Sequence, residues 1–319
     1  MIKFLRSIFR FLRIGKIYLF FITISRFGLI SILRARAAKK RYLCRILMAK
    51  PIAVTAGAAE VHMLLGHKRV YEGLWALYSL IHFCNLPFSV VVHDDGTLTK
   101  DDSLKLDKLF PGCRIISRSL ADSVVMECLS KEGLNNCIKL RQTLIFGLKL
   151  FDPLFFSKSG CLVLLDSDFL FYSAPKELIA CIGKYSSDAC KLNMYSLDNG
   201  YRYCLSPAEI KSLMPQSCLP RVNPGLLCVQ SNVLDLHRIE KYLWHPNFWK
   251  KDGSAKYHAE LTLWAMELTK SGALPFPQTY AICADPRDRD LVCGHYCGGV
   301  DTSNYFYEYG LPRLAKIFL

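Results

Sequence analysis

The chain has 319 residues, of which 51% are hydrophobic, so it is long enough to bury the core of one large α/β domain or two small ones. Its net charge of +14 is concentrated at the N-terminus: residues 1–50 carry 13 of the 41 basic residues and no acidic one, which leaves 28 basic and 27 acidic residues beyond them. Because this remainder is nearly neutral and holds no RNA-binding or zinc-finger signature, nucleic acid is not an expected partner.

The 14 cysteines are scattered, with no Cys-x-x-Cys pair and no disulfide framework, which favours reduced thiols in the cytoplasm. Cys293, His295 and Cys297 are spaced like part of a zinc site, but no second pair of ligands at suitable spacing accompanies them.

Residues 1–50 are predicted to form a basic arm that associates with a membrane, followed by a folded domain over residues 51–319. Five basic residues recur at steps of three and four, which places them on one side of a helix: Lys3, Arg6, Arg10, Arg13 and Lys16. Much of the rest of that helix is apolar. Such a helix lies in the plane of an anionic membrane surface, here on the cytoplasmic face. A single span over the apolar stretch 17–33 is the alternative, although Arg26 interrupts it. An ordinary basic surface helix is disfavoured because no acidic residue occurs before Glu60.

The first part of the domain alternates strand and helix patterns, as an α/β fold requires. The apolar periodicity predicts a first strand with its exit loop over 60–67, further strands over 88–93 and 113–116, and helices over 70–84 and 101–110. Asp94-Asp95-Gly96-Thr97 follows the second strand and, from its residues alone, is consistent with an Asp-Gly turn. A longer helix is predicted over 136–151 and contains Arg141.

The most informative stretch is an apolar run from Cys161 to Leu165 that ends in Asp166-Ser167-Asp168. A continuous apolar run is typical of a strand covered on both faces, and ligands of open α/β sheets gather at the carboxyl ends of strands. Two carboxylates side by side repel each other unless a cation lies between them, and Mg²⁺ or Mn²⁺ prefers such oxygen ligands. A strand that ends in a polar turn is the alternative.

Three further segments follow. Asn223-Pro224-Gly225 enters an apolar strand, and a glycine there lets a ligand approach the backbone closely. Glu260 lies in the first turn of a predicted helix, where the helix dipole alone would favour a carboxylate. A late strand over 281–284 precedes His295.

These motifs and their order along the chain resemble those of the nucleotide-sugar glycosyltransferases of the GT-A fold, in particular families 8 and 2. The resemblance runs from about Val61 to the C-terminus and implies a mixed, mainly parallel sheet flanked by helices, with the basic amphipathic arm added at the N-terminus. It implies that Asp166 and Asp168 hold Mn²⁺ or Mg²⁺ against the donor diphosphate, with His295 as the third ligand. The family 8 pattern His-x-x-Gly-x-x-Lys-Pro-Trp is absent, because the residues that follow His295, beginning with Tyr296, include no lysine at the matching position.

The same resemblance implies roles for five other residues. Asp95 would hold the base or ribose of the nucleotide, and Arg141 would contact the donor. Asn223 and Gly225 would lie beside the donor and acceptor sugars. Glu260 would face the active site, where a carboxylate can take the proton of the acceptor hydroxyl.

The resulting expectation is a metal-dependent glycosyltransferase that moves a sugar from a nucleotide-diphosphate sugar to a glycan or glycolipid acceptor at the membrane surface. A nucleotidyltransferase with a similar sheet is one alternative, although Gly66-His67-Lys68-Arg69 only approximates its Gly-rich basic loop. A membrane-bound scaffold with an inactive transferase fold is the other. The missing family 8 pattern leaves retention or inversion of the anomeric configuration open.

Overall fold

Ten strands and eleven α-helices make up the part of the chain that the computed structural model describes, namely Ser25 and residues 28–57, 59–186, 192–297 and 304–319. The strands are β1 (Ala59–Leu65), β2 (Phe88–Asp94), β3 (Arg114–Ile116), β4 (Cys161–Leu165), β5 (Phe169–Phe171), β6 (Met194–Leu197), β7 (Val222–Gln230), β8 (Leu274–Pro275), β9 (Tyr280–Ile282) and β10 (Cys293–His295).

The helices are α1 (Leu29–Tyr42), α2 (Val70–Cys84), α3 (Lys100–Leu109), α4 (Arg118–Lys131), α5 (Asn135–Thr143), α6 (Phe146–Phe156), α7 (Lys176–Ser186), α8 (Pro207–Leu213), α9 (Leu236–Tyr242), α10 (Ala259–Lys270) and α11 (Leu311–Phe318). Short 3₁₀ segments cover Leu43–Met48, His67–Arg69 and Pro246–Phe248, and a π-helical turn, Phe306–Gly310, leads into α11.

The main sheet has seven strands in the order β3-β2-β1-β4-β7-β6-β8. The β3-β2, β2-β1, β1-β4 and β6-β8 pairs are parallel, whereas β7 runs antiparallel to both β4 and β6. The predicted mixed, mainly parallel sheet flanked by helices is confirmed.

β4 lies inside the sheet and is buried on both faces. Cys161, Val163 and Leu165 belong to one hydrophobic cluster, which includes α2 and the C-terminal helices, while Leu162 and Leu164 belong to a second cluster with α5, α6 and α10. Because side chains alternate along a strand, an unbroken apolar run is what two buried faces require. The polar residues after Leu165 therefore mark the point where the strand leaves the core.

A second, three-stranded sheet in the order β5-β10-β9 lies beyond the carboxyl end of β4. β10 is antiparallel to β5 and parallel to β9. Since β5 follows β4 after only three residues, this small sheet extends the edge at which Asp166 and Asp168 lie.

The predicted helix over 136–151 is wrong as a single element, because the structure has two helices there, α5 and α6. Leu144 takes an extended conformation between them. Gly147 makes the close packing of the two helices possible, since a Cβ at this position would lie 2.7 Å from the Cα of Arg141. The other predicted strands and helices of the first half are present, with bounds that differ by one or two residues.

α1 and the 3₁₀ segment after it, which lie within the predicted arm over residues 1–50, pack on the domain. Ile32, Ala35 and Ala38 are buried, and Ile46 is fully so. The indole of Trp75 in α2 donates a hydrogen bond to the carbonyl of Leu43 at 2.9 Å. The folded body therefore includes the chain from Leu29 onward.

The predicted amphipathic membrane helix falls on residues 1–24, outside the described residues. Among the helices that the structure does describe, none is both long and apolar enough to cross a bilayer.

Replacing Ile46 by alanine is expected to destabilise the protein by about 2–5 kcal/mol, because it removes a fully buried side chain and leaves a cavity. Urea unfolding would measure this. Met48 is 71% exposed, so Met48→Ala, the matched control, is expected to stay within about 0.5 kcal/mol of wild type. Equal stability of the two variants would contradict the packing of this segment on the domain.

Candidate active site

Asp166, Asp168 and His295 come together at the carboxyl end of β4. One ligand atom from each side chain can be chosen so that all three lie within 4.8 Å of one another. The pairing of β10 with β5 sets His295 opposite Phe169, next to Asp168. The Nε2 atom of His295 lies 3.1 Å from Oδ1 of Asp168 and 3.8 Å from Oδ2 of Asp166.

The ring of His295 is held by stacking and by the backbone around it. The ring of Phe169 lies parallel to it, with centroids 4.2 Å apart. The carbonyl of His295 accepts a hydrogen bond from the amide of Cys283 at 2.8 Å, and the carbonyl of Asp168 accepts one from the amide of Tyr296 at 2.9 Å. The imidazole and the carboxylate are thus fixed relative to each other before any ligand binds.

Nδ1 of His295 is buried and has no hydrogen-bond partner among the described residues, and Nε2 of His295 and Oδ1 of Asp168 are buried with only each other nearby, at 3.1 Å. Buried polar atoms without a partner are costly and are rare in folded proteins. Two carboxylates and an imidazole are suitable ligands for Mn²⁺ or Mg²⁺, with Mn²⁺ the better match for the nitrogen. The residues present therefore fit a divalent cation.

The electrostatics of Asp168 favour the charged form that a metal ligand needs. Burial by itself would raise the pKa of this carboxyl, but the neighbouring His295 ring and the cations Arg69 and Lys149 bring the pKa below its ordinary value. Asp168 is therefore ionised at neutral pH.

Asn223 and Gly225 lie next to the cluster, and their predicted place beside the donor and acceptor sugars stays a prediction. The amide of Gly225 donates to Oδ1 of Asn223 at 2.8 Å, and its carbonyl accepts a hydrogen bond from the amide of Asp166 at 2.8 Å. A Cβ at residue 225 would lie 2.5 Å from Cε1 of His295 and 3.0 Å from Oδ2 of Asp166. Only glycine leaves room for these two side chains.

Lys149 is the cation of the site that the sequence analysis missed. Its ammonium group lies 2.5 Å from Oδ1 of Asp166. Burial would lower the pKa of Lys149, but the carboxylates of Asp166 and Glu260 raise it, so the lysine stays charged. The available signal was a lysine between Leu148 and Leu150 on a helix whose one other charged residue is Asp152, because a buried lysine nearly always has a charged partner.

Glu260 lies in the first turn of α10 and faces a cavity of about 130 Å³. It is buried, and its Oε1 has no hydrogen-bond partner among the described residues. Burial raises the pKa of Glu260 to about 7, with Asp166 acting in the same direction and Lys149 against it. The lining of the cavity is mostly polar or aromatic: Phe146, Lys149, Asp166, Asp198, Arg202, Asn223, Pro224, Tyr257, His258, Glu260, Leu261, His295 and Cys297.

Arg141 does not reach this cavity. Its guanidinium donates to both carboxylate oxygens of Asp152, at 2.7 and 3.1 Å, and to Asp122 at 2.6 Å. The reason is the break after α5, which leaves Arg141 on one helix and turns the next helix, with Lys149, toward the site. Arg141 is buried as part of an ion-pair network that joins α4, α5 and α6.

Asp95 lies just after β2, two strands away from β4, and does not line the cavity. Its carboxylate accepts hydrogen bonds from the amide and the hydroxyl of Thr97, at 2.9 and 2.6 Å. It also packs on the exit of β1, since a Cβ at Gly66 would lie 2.1 Å from Oδ2 of Asp95. Asp95 is at the same edge of the sheet as the metal cluster, so its predicted contact with the nucleotide stays a prediction.

No protein-family model matches the sequence, and no match is found among curated proteins. Among solved structures, the chain is similar to the galactosyltransferase LgtC in complex with donor and acceptor sugar analogs, with 14% identity and a TM-score of 0.51 over 81% of this chain and 94% of that one. Mouse xyloside xylosyltransferase 1 in its apo form is similar at 12% identity and a TM-score of 0.48, over 79% and 99% of the two chains. At these identities, the similarity to LgtC establishes the GT-A glycosyltransferase fold.

Glu260→Gln is expected to remove a pH dependence from the stability of the metal-free protein. The folded-state pKa of about 7 is above the ordinary 4.5, so wild-type stability falls as the pH rises from 4.5 to 7 and the unfolded chain ionises first. The loss amounts to roughly 3 kcal/mol, at about 1.36 kcal/mol per pH unit. Urea unfolding at pH 4.5 and pH 8 with a chelator would measure it, and parallel changes in both proteins would contradict the assignment.

Proposed function

We propose, from the GT-A glycosyltransferase fold and this site, that the protein transfers a sugar from a nucleotide-diphosphate sugar to a glycan or glycolipid acceptor, with Mn²⁺ or Mg²⁺ bound by Asp166, Asp168 and His295. The observation that carries the proposal is the convergence of these three side chains beside a cavity that also holds Glu260. LgtC, whose structure contains donor and acceptor sugar analogs, supports the assignment of a sugar donor and a sugar acceptor to this fold.

The residues around the site have different proposed roles. Asp166, Asp168 and His295 would hold a divalent cation, which would neutralise the charge that builds up on the departing nucleotide diphosphate. Lys149 holds the second oxygen of Asp166, so that the other one stays directed toward His295. Asn223 and Gly225 provide a wall where the backbone allows close approach of a substrate. Asp95 contributes to the nucleotide end of the donor site, farther along the same sheet edge.

Glu260 is the candidate general base. Its pKa of about 7 lies near neutral pH, where a carboxylate can both take up and release a proton. If the reaction inverts the anomeric configuration, Glu260 takes the proton of the acceptor hydroxyl. If the reaction retains the configuration, the donor phosphate can take that proton, and Glu260 instead positions the acceptor.

The membrane-surface acceptor belongs to the same proposal. The arm over residues 1–50 carries 13 basic residues and no acidic one. Three of these basic residues, Arg34, Arg36 and Lys40, lie on the exposed side of α1. Anionic lipids on a cytoplasmic leaflet attract such a segment. A lipid-linked saccharide would then be presented at the membrane to which the enzyme is bound.

Asp168→Asn is expected to lower the hydrolysis of a nucleotide sugar at least ~100-fold, because it removes a charged ligand of the metal. A thermal-shift screen of nucleotide sugars with Mn²⁺ first selects the donor, and release of nucleotide diphosphate is then measured with and without chelator. Asp107→Asn, at an exposed position outside the site, is the matched control and is expected to keep full activity.

Two results would contradict the proposal. Metal-dependent donor binding without turnover on any acceptor would favour an inactive scaffold. Formation of a nucleotide sugar and pyrophosphate from a nucleoside triphosphate and a sugar phosphate would favour a nucleotidyltransferase.

Gly225→Ala is expected to lower Mn²⁺ affinity about tenfold or more, because the added methyl group must displace His295 or Asp166. Calorimetric titration of the purified protein with Mn²⁺ would measure it. Gly160→Ala is the matched control, since nothing lies within 4 Å of its added Cβ. Unchanged affinity in Gly225→Ala would show that the metal does not bind where these residues meet.

A further inference from the structure

A second cavity, of about 530 Å³, lies between the loop after β9 and the C-terminal helix α11. It is separate from the candidate active site and shares no lining residue with it. Basic side chains dominate its walls, which consist of Pro286, Arg287, Arg289, Glu308, Tyr309, Pro312, Arg313 and Lys316.

The positive charge of this cavity is only partly balanced. Arg287 pairs with Asp285 and stacks on the ring of Tyr309 at 4.5 Å. Arg313 donates to the backbone carbonyls of Pro286 and Asp288, at 2.6 and 3.2 Å, and these neutral acceptors orient its guanidinium without cancelling its charge.

The two remaining cations of the cavity are exposed. Arg289 and Lys316 have no ion-pair partner among the described residues. The lining carboxylate, Glu308, accepts hydrogen bonds from Ser31 and Asn304 at Oε2 and forms no ion pair with either cation. The cavity therefore offers three cations to an anionic ligand: Arg289, Arg313 and Lys316.

An exposed apolar surface adjoins the cavity. Ser31, which bonds to Glu308, belongs to the first turns of α1, and that part of the helix presents Leu29, Ile30 and Leu33 to solvent. Ile30 is 67% exposed. The preceding residues 1–28 are rich in Phe, Leu and Ile, and their charged residues are all basic, so this part of the sequence also combines apolar and cationic side chains. A cationic pocket beside exposed apolar side chains suits the interface of an anionic membrane.

We propose that this cavity binds the phosphate headgroup of an anionic phospholipid, with the first turns of α1 entering the acyl boundary beside it. A free phosphate would satisfy the same three cations but would leave Leu29, Ile30 and Leu33 exposed, which is why the lipid is the better ligand. The inference deepens the membrane part of the proposed function by adding a built headgroup site to the arm. It does not depend on catalysis, because its test reads out membrane binding.

The test is co-sedimentation of the full-length protein with vesicles of phosphatidylcholine, with or without phosphatidylglycerol. Arg289→Ala/Lys316→Ala is expected to lower the affinity for anionic vesicles about 25-fold, since each basic residue near an anionic surface contributes roughly fivefold. Both side chains are exposed, so the variant is expected to fold normally. Lys241→Ala/Lys270→Ala removes two exposed cations from another surface cavity, of about 370 Å³, and is the matched control, expected to bind as wild type does.

Wild-type affinity of the Arg289→Ala/Lys316→Ala variant would overturn the proposal, and so would an equal loss in the control, because the effect would then reflect net charge alone. Stabilisation of the wild type by inorganic phosphate, without any difference between wild type and variant on vesicles, would assign the cavity to a soluble anion instead. Arg6→Ala/Arg10→Ala tests the arm separately, so failure of the arm and failure of the cavity are distinguishable.

Discussion

The antiparallel pairing of β10 with β5 is the interaction on which the site depends. It sets His295 opposite Phe169 and so brings an imidazole from the C-terminal part of the chain against the carboxylate of Asp168. β5 can take part only because β4 ends at Leu165, where the apolar run stops and the backbone leaves the main sheet. The same pairing lets Phe169 stack on the His295 ring, which fixes its orientation.

Charge balance is the second constraint on this region. Three carboxylates, those of Asp166, Asp168 and Glu260, lie near one another with Lys149 as the buried cation among them. Buried charges are tolerated only when they are paired, hydrogen-bonded or bound to a metal. Lys149 offsets Asp166, the raised pKa of about 7 leaves Glu260 only partly ionised at neutral pH, and the remaining charge of Asp168 is directed at His295. The divalent cation that we propose for this site would complete this balance.

The small sheet also links the site to the surface that we propose faces the membrane. Tyr296, adjacent to His295, shares a hydrogen bond of 2.7 Å with the hydroxyl of Tyr172, and Arg313 of the second cavity lies over the Tyr172 ring at 4.5 Å. On the other side, buried Glu72 accepts a hydrogen bond from Tyr307 and pairs with Lys39 of α1 at 3.5 Å. α1 and the C-terminal helices are thus packed on the elements that position the metal ligands.

The local pattern of the sequence was enough to predict most strands and helices, the fold, and the place of Asp166 and Asp168 at the end of a buried strand, because apolar periodicity indicates burial and the order of motifs indicates topology. It was not enough to choose between Arg141 and Lys149. Both lie on helical segments before β4, and only the turn at Leu144 decides that the arginine is buried with Asp152 while the lysine reaches Asp166. Nor could composition show that α1 belongs to the folded body. Only three residues of this helix are buried, and all three are small or apolar side chains within a basic stretch of sequence. Side-chain chemistry along the chain thus determined what the site can bind, whereas which side chains meet there was decided by long-range packing, which no local pattern encodes.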